Sequence, residues 1–491
     1  MKRCSGILLP VFSLPSPYGI GTMGEQAYRW IDFLHSSKQR VWQVLPLGPT
    51  GFGDSPYQSF SSFVGNPYFI DFDILNKKGL LEKSDYTDIK WCQPEERIDY
   101  STLYNFKFKV LKKAFLKFKE FDKLEEFKKE NEEAENYALF MAIKNSCNGK
   151  PWYLWKDGLK KRRSQSLKKV REELKDEINF YLFLQYEFMD EWLKLKDYAG
   201  SKNVKIVGDV PIYASLDSCD VWTNPKEFLL DSNFLPIEVA GCPPDSFTED
   251  GQRWGNPLYR WDVMKKNNYS WWEKRLNFAF RLFDVIRIDH FRGLESYYAI
   301  PKDDENARNG RWIKGPDKDF ISFLKTSFKG KEIIAEDLSF LTDEVYELLK
   351  LSGFPGMKVI QFAFDKDEEN QYLPHKYKRN CVAYTGTHDN DTVMGWLSSD
   401  LTGQAECARE YFGVKGKNDD EITDCFIKSA LKSAANLSIV PIQDYLHLGS
   451  EARINTPSTD RDNWVWRLNK NYNDNSLDKK IALMTEEFFR D

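Results

Sequence analysis

The residues best placed to do chemistry lie in Asp284–Gly293, which reads DVIRIDHFRG. Val285, Ile286 and Ile288 form a short run apolar on both faces, the mark of a parallel strand buried inside an α/β protein. Arg287 and Asp289 break that run two positions apart, so both fall on one face, roughly 7 Å apart along the strand. Asp289 then sits at the strand's carboxyl end, where parallel α/β folds place their chemistry. Taken alone, R-x-D is most simply a structural ion pair. Three other candidate strands also run into acids. EIIAEDL (Glu332–Leu338) ends in Glu336 and Asp337, CVAYTGTHDND (Cys381–Asp391) in His388 and Asp389, and VKIVGDVPIY (Val204–Tyr213) passes through Asp209. One acidic strand end is commonly a helix cap. Four that converge on one mouth favour function for Asp289 and Glu336, and leave Asp209 balanced between function and structure.

Paired carboxylates suit the cleavage of a glycosidic bond with retention. One must be protonated to donate to the leaving oxygen, and the other ionised to attack the anomeric carbon. Arg287, on the same face as Asp289, favours the ionised form there. Negative charge from Asp289 and Asp389 disfavours ionisation of Glu336. His388 is placed to donate hydrogen bonds to sugar hydroxyls. Competing chemistries lack their residues. The five His are scattered, with no H-E-x-x-H and no ligand cluster, so no metal is expected. Asp389-x-Asp391 lacks the Gly of an EF-hand loop. There is no P-loop and no G-x-S-x-G, and no cofactor is expected.

The elements that must carry these side chains follow from periodicity. Candidate strands are Gly6–Leu9, Arg40–Pro46, Val204–Gly208, Asp284–Ile288, Glu332–Glu336, Met357–Gln361, Cys381–Thr385 and Leu437–Pro441, with a helix expected over Glu25–Ser36. Eight such strands with amphipathic segments between most of them predict a (β/α)₈ TIM barrel. A doubly wound sheet is disfavoured, because no G-x-G-x-x-G follows the first strand. Residues 50–80 form a long loop dense in Gly, Pro, Ser and aromatics, and a loop of that length is functional or disordered; its aromatics favour function. Residues 100–200 are rich in Lys, Glu and Phe at helical spacing and read as a helical insertion between barrel strands 2 and 3. The basic run Lys160–Lys169 within it reads as a solvated helix face.

Composition bounds the class. The 491 residues carry a net charge of −5, which opposes a general nucleic-acid footprint. Aromatics are high at 15%, which suits sugar stacking as well as core. The eight cysteines show no C-x-x-C and no framework spacing, as expected of thiols in a reducing compartment. Pro10 and Pro15 interrupt the apolar patch after Lys2 and Arg3, and no cleavage site follows. No run approaches a membrane span. The expectation is a cytoplasmic protein with no nucleic-acid or membrane partner.

RIDHFRG, AEDL, GTHDND, GDVPIY, SPYQSFSSFVGNPY and GQRWGNPLY together resemble the 4-α-glucanotransferases, the amylomaltase or disproportionating-enzyme family (glycoside hydrolase family 77) of the α-amylase superfamily. The likeness extends to LGSEARINTP (Leu448–Pro457) and NWVWR, and so covers essentially the whole chain. It implies a single catalytic barrel over 1–491 with largely helical inserted subdomains, an active-site lid over about 225–262, and no C-terminal β-sandwich. It implies Asp289 as nucleophile, Glu336 as general acid/base and Asp389 as transition-state stabiliser. Tyr57, Asp209, Arg287, His388, Trp254, Asn256, Phe247 and His290 are then substrate-binding. The implied activity is transfer of α-1,4-glucan segments from one maltodextrin, starch or glycogen-type chain to the 4-hydroxyl of another, by retaining double displacement. A hydrolase uses the same carboxylates, and a silent glucan-binding protein is the reading of another class, which the intact acid set opposes. Two departures stand out. Ser246 follows Pro-Pro-Asp where relatives carry an aromatic residue, and Ser458 replaces the Gly of N-T-P-G, which implies a local turn difference.

Overall fold

The computed structural model describes residues 2–244, 249–338, 341–365, 367, 369–400, 402–414, 416–459 and 461–491. In chain order its strands are β1 (Cys4–Leu8), β2 (Val41–Gln43), β3 (Lys205–Val210), β4 (Glu238–Cys242), β5 (Gln252–Pro257), β6 (Val285–Ile288), β7 (Ser296–Pro301), β8 (Arg311–Lys314), β9 (Glu332–Ala335), β10 (Gly356–Val359), β11 (Cys381–Tyr384) and β12 (Leu437–Pro441). Eight of them form one parallel sheet in the order β10-β11-β12-β1-β2-β3-β6-β9. The Ala335 N–H donates to the carbonyl of Pro355, just before β10, at 3.0 Å and brings the two ends of the sheet together. The fold is a (β/α)₈ TIM barrel.

The barrel interior shows why the chemistry gathers at one end. Leu8, Val41, Val207, Val285, Ile334, Met357, Val359, Val382, Tyr384, Leu437 and Ile439 pack as one buried cluster inside the strands. Two residues further along, the same inward faces present Gln43, Asp209, Arg287 and Glu336. Side chains alternate faces along a strand, so on these four strands the apolar interior residue hands over to a polar one at the carboxyl end. Gln43 Oε1 accepts from the Tyr384 hydroxyl at 2.8 Å, which keeps that layer satisfied. At the opposite end Lys205 Nζ meets Glu332 Oε2 at 2.7 Å. Arg490 caps the same end, donating to the carbonyls of Cys4 (2.9 Å), Ser433 (3.0 Å) and Ala435 (3.0 Å).

Helices cover the outside. Glu25–Ser36 buries Ala27, Trp30, Ile31 and Leu34, the i, i+3, i+4, i+7 stripe of an amphipathic helix. Between β2 and β3 the chain passes through the aromatic loop and then a run of helices that ends with Lys175–Ser201. That last helix is buried along much of its length and acts as a post for the loop. Gln185 makes two hydrogen bonds to the backbone of Gly65, at 2.8 and 2.9 Å, and Glu191 Oε2 accepts from the Asp71 N–H at 2.9 Å. Phe188 lies where a Gly65 Cβ would be, only 2.1 Å away, so Gly65 allows this contact by having none. In the basic run, Lys160 and Lys161 pair with Asp157, and Lys169 with Glu173.

A second sheet, antiparallel with the order β5-β4-β7-β8, lies above the barrel mouth and was not anticipated as strands. Its sequences lack alternation. QRWGNP (β5) holds one Gly and one Pro and is half-exposed along most of its length, so no period of two is visible. None of the described residues after Pro441 joins either sheet. No helix among the described residues is long and apolar enough to cross a membrane.

Candidate active site

Strand register places the two central acids side by side. Asp209 pairs with Arg287, Val210 with Ile288, and Ile288 with Ala335. The ladder continues one step past the strands: Asp289 N–H donates to Val210 at 3.1 Å and Glu336 N–H to Ile288 at 3.0 Å. Asp289 and Glu336 are therefore the next residues on adjacent strands about 4.8 Å apart. Neighbouring positions on adjacent strands bring two carboxyl groups within reach of one bond, as a retaining pair at about 5 Å requires.

Arg287 organises the charges. Its Nη1 lies 2.7 Å from Asp209 Oδ1, 2.9 Å from Asp209 Oδ2 and 3.0 Å from Asp289 Oδ1. The Tyr57 hydroxyl donates to Asp209 Oδ2 at 2.7 Å. Asp209 is fully buried and Asp289 partly open, so Asp209 holds the guanidinium while Asp289 faces the mouth. A buried pair of this kind is costly to desolvate and strongly destabilising to break on one side.

Two neighbouring carboxyls in this enclosed site do not ionise independently. Burial raises the pKa of Glu336 to about 7; Arg287 and the His290 N–H, which donates to Glu336 Oε2, oppose that, and Asp389 and Asp209 add to it. Burial also pushes Asp289 up, opposed by Arg287 and reinforced by Glu336. Arg287 touches Asp289 directly, so Asp289 ionises first and the shared proton rests on Glu336. His290 makes its contact from a backbone φ of +46°, a region unusual for a side chain with a Cβ.

The remaining candidates ring this pair. His388 is buried, and burial lowers its pKa, so the ring is neutral at pH 7. It stacks on Tyr57 with centroids 5.2 Å apart and planes 13° off parallel, and its Nε2 lies 3.3 Å from Asp389 Oδ1. Asp389 is 46% exposed in its side chain, open to a ligand. Trp254 meets the His290 ring edge-on at 5.0 Å. Asn256, on the same strand β5, donates to the Ala214 carbonyl at 3.0 Å. His290 is held to a pKa of about 4 by burial and by Arg292, and among the described residues its Nε2 has no hydrogen-bond partner. Phe247 and Ser246 lie outside the described residues.

Four neighbours were not singled out in the sequence. Asn455 Nδ2 donates to Asp389 Oδ1 at 2.7 Å, and Arg453 to the Asp389 carbonyl at 2.7 Å. Trp464 flanks both Tyr57 (5.8 Å) and His388 (6.0 Å). Gln58 Nε2 bridges the Trp254 carbonyl and Asn256 Oδ1 at 3.3 and 3.1 Å. Asn455 and Trp464 fall in the LGSEARINTP and NWVWR stretches, which carried the resemblance but no sign of what these two side chains touch. Ser458, nearby, has φ +65°, the region that favours the Gly it replaces.

Among the described residues no group of three or more His, Cys, Asp and Glu could hold a metal ion. Activity is expected to be unchanged after dialysis against EDTA. Loss of activity with EDTA and its recovery with calcium would contradict this.

Comparison with known proteins shows the family. The family model described as 4-alpha-glucanotransferase matches residues 9–473. A 4-alpha-glucanotransferase from Clostridium butyricum is 49% identical over 488 residues, 98% of this chain and 99% of its own. One from Thermus thermophilus is 44% identical over 480 residues, 95% of each chain. The solved amylomaltase from Streptococcus agalactiae in complex with acarbose superposes with a TM-score of 0.96 at 37% identity and full coverage of both chains.

Proposed function

The chain belongs to the 4-alpha-glucanotransferase family, and from that premise we propose how its own residues carry the transfer. The enzyme moves α-1,4-glucan segments from a donor chain to the 4-hydroxyl of an acceptor. The observation that carries the assignment of roles is the paired register of Asp289 and Glu336, with Arg287 on the first and a backbone N–H on the second.

In the first step Glu336, protonated, gives its proton to the glycosidic oxygen as the bond to the anomeric carbon breaks. Asp289 attacks that carbon from the opposite face and forms a glycosyl ester. The sugar ring flattens and gains positive charge on the way. Asp389, with His388 beside it, holds ring hydroxyls by hydrogen bonds that strengthen in that state. In the second step Glu336, now ionised, removes the proton from an acceptor 4-hydroxyl, which displaces Asp289. Tyr57, His388 and Trp464 form the aromatic wall on the donor side, held by the Tyr57–Asp209–Arg287 chain. Trp254, Asn256 and the neutral His290 line the acceptor side. The substrates are maltodextrins and starch- or glycogen-type glucans. The site of action is the cytoplasm, in keeping with eight cysteines that form no disulfide among the described residues.

Transfer prevails over hydrolysis because an acceptor held in place gains the advantage of an intramolecular reactant, worth up to roughly 7–11 kcal/mol in ideal cases. Water, though abundant, is unoriented. Maltotriose should therefore give glucose and a ladder of longer maltodextrins, with reducing ends nearly constant, since each bond broken is matched by one formed. Reducing-end titration beside chromatography of the products tests this. A rise in reducing ends in step with substrate loss, with no product longer than maltotriose, would mark a hydrolase.

A further inference from the structure

Asp444 belongs to none of the groups at the mouth, yet it is 1% exposed. It sits in the short helical turn Ile442–Tyr445 that follows β12. Burial raises its pKa to about 6, so enclosing this acid has a cost that something must offset. Both its oxygens are occupied. Oδ2 accepts from Thr385 Oγ1 at 2.5 Å, and Oδ1 from the Val393 N–H at 2.9 Å. Thr385 is the first residue past β11, and Val393 opens the helix Val393–Ser399. One carboxylate thus ties together the two ends of the stretch that carries His388 and Asp389.

The same turn and the residues after it clasp the middle of that stretch. Ser450 Oγ donates to Asp391 Oδ2 at 2.7 Å, beside the Arg453 contact to the Asp389 carbonyl. The approach is close: a Cβ on Gly395 would lie 2.4 Å from Ser450 Oγ and 2.5 Å from Asp391 Oδ1. The Asp389 carboxylate is itself nearly half exposed and is held on Oδ1 by Asn455 at 2.7 Å, so its aim depends on that contact and on the backbone beneath it. We infer that Asp444 is a positioning residue for glucan transfer, fixing the Thr385–Val393 stretch so that Asp389 and His388 meet the donor sugar as its ring flattens. The inference rests on the role proposed for Asp389. A displacement of 1 Å at a reacting group can cost about 100-fold in rate.

The test is a mutant cycle read with an activated donor, α-maltosyl fluoride, and maltose as acceptor. Asp444→Ala should lower kcat about 10- to 100-fold while KM moves less than about 3-fold. Asp444→Asn should recover most of that loss, because its amide oxygen can still accept from Val393 N–H and its amide nitrogen can donate to Thr385 Oγ1. In an Asp389→Ala, His388→Ala background, Asp444→Ala should cost less than about 3-fold, since both groups it aims are gone. If Asp444→Ala does not fold, Thr385→Val breaks one of the two contacts at constant volume. It should lower kcat, and Thr385→Ser should restore it. A folded Asp444→Ala with unchanged kcat, or an equal loss in both backgrounds, overturns the inference and leaves a purely structural acid. Full activity in Asp389→Ala alone would overturn the role of Asp389, and this inference with it.

Discussion

Asp289→Asn is expected to lower turnover of maltotriose by about 10⁴-fold or more, with substrate binding largely kept. An amide has the shape of the carboxylate but almost none of its nucleophilicity. Arg287 would keep Asp209, at 2.7 Å, as its partner, so the variant should fold. Burial pushes the Asp289 carboxyl up, so its ionised form costs stability in the fold, and with the neutral amide the melting temperature at pH 7 should be no lower than that of wild type. Steady-state release of glucose from maltotriose, measured beside circular dichroism, checks both halves. Residual turnover above about 1% of wild type would place the nucleophile elsewhere.

The second large effect is at Glu336. Glu336→Gln should lose about 10³-fold or more with natural glucans, which need a proton on the leaving oxygen. With a glycosyl fluoride donor, whose leaving group needs no acid, Asp289 should still be loaded. The second step then lacks its base, so the ester should accumulate and appear by mass spectrometry as a glycosyl adduct on Asp289. An adduct on another residue would overturn the assignment. The raised pKa of Glu336, about 7, also predicts an alkaline limb: wild-type activity on maltodextrins should fall as pH rises through about 7, because the acid is lost. Stability follows the same proton. The folded form binds it more tightly than the unfolded chain, so this contribution is complete below the unfolded value near 4.5 and is lost as pH rises through about 7. Glu336→Gln removes that dependence, and should be more stable relative to wild type at pH 8 than at pH 4.

Much of this site was legible because parallel strands are short, apolar and end abruptly. Val285–Ile288 followed by Asp289, and Glu332–Ala335 followed by Glu336, announce both the strand and its active end. Arg287 was placed beside Asp289 by parity alone, and the 3.0 Å contact follows from it. Parity did not reveal that Arg287 is held more closely by Asp209, because that pair depends on which strand lies next in the barrel. The contact of Asn455 with Asp389 was hidden for the same reason. It joins segments that meet only when β11 and β12 lie side by side, and nothing local in R-I-N-T-P encodes it. The sheet β5-β4-β7-β8 was missed for another reason: β7 is buried on both faces and β5 is half-exposed, so neither sequence alternates.

The pairing of β1 with β12, Cys4 opposite Leu437, bears on how the protein is made. A ribosome releases the first strand early and its second neighbour about 430 residues later. At roughly 5–20 residues per second that interval is on the order of 20–90 s. Throughout it, one edge of a short apolar strand, CSGIL, has β2 on one side and nothing native on the other. Arg490, which fastens Cys4 from below, arrives later still. Nascent chains halted before Leu437 should therefore be compact but open, and should depend on chaperones more than the finished enzyme does.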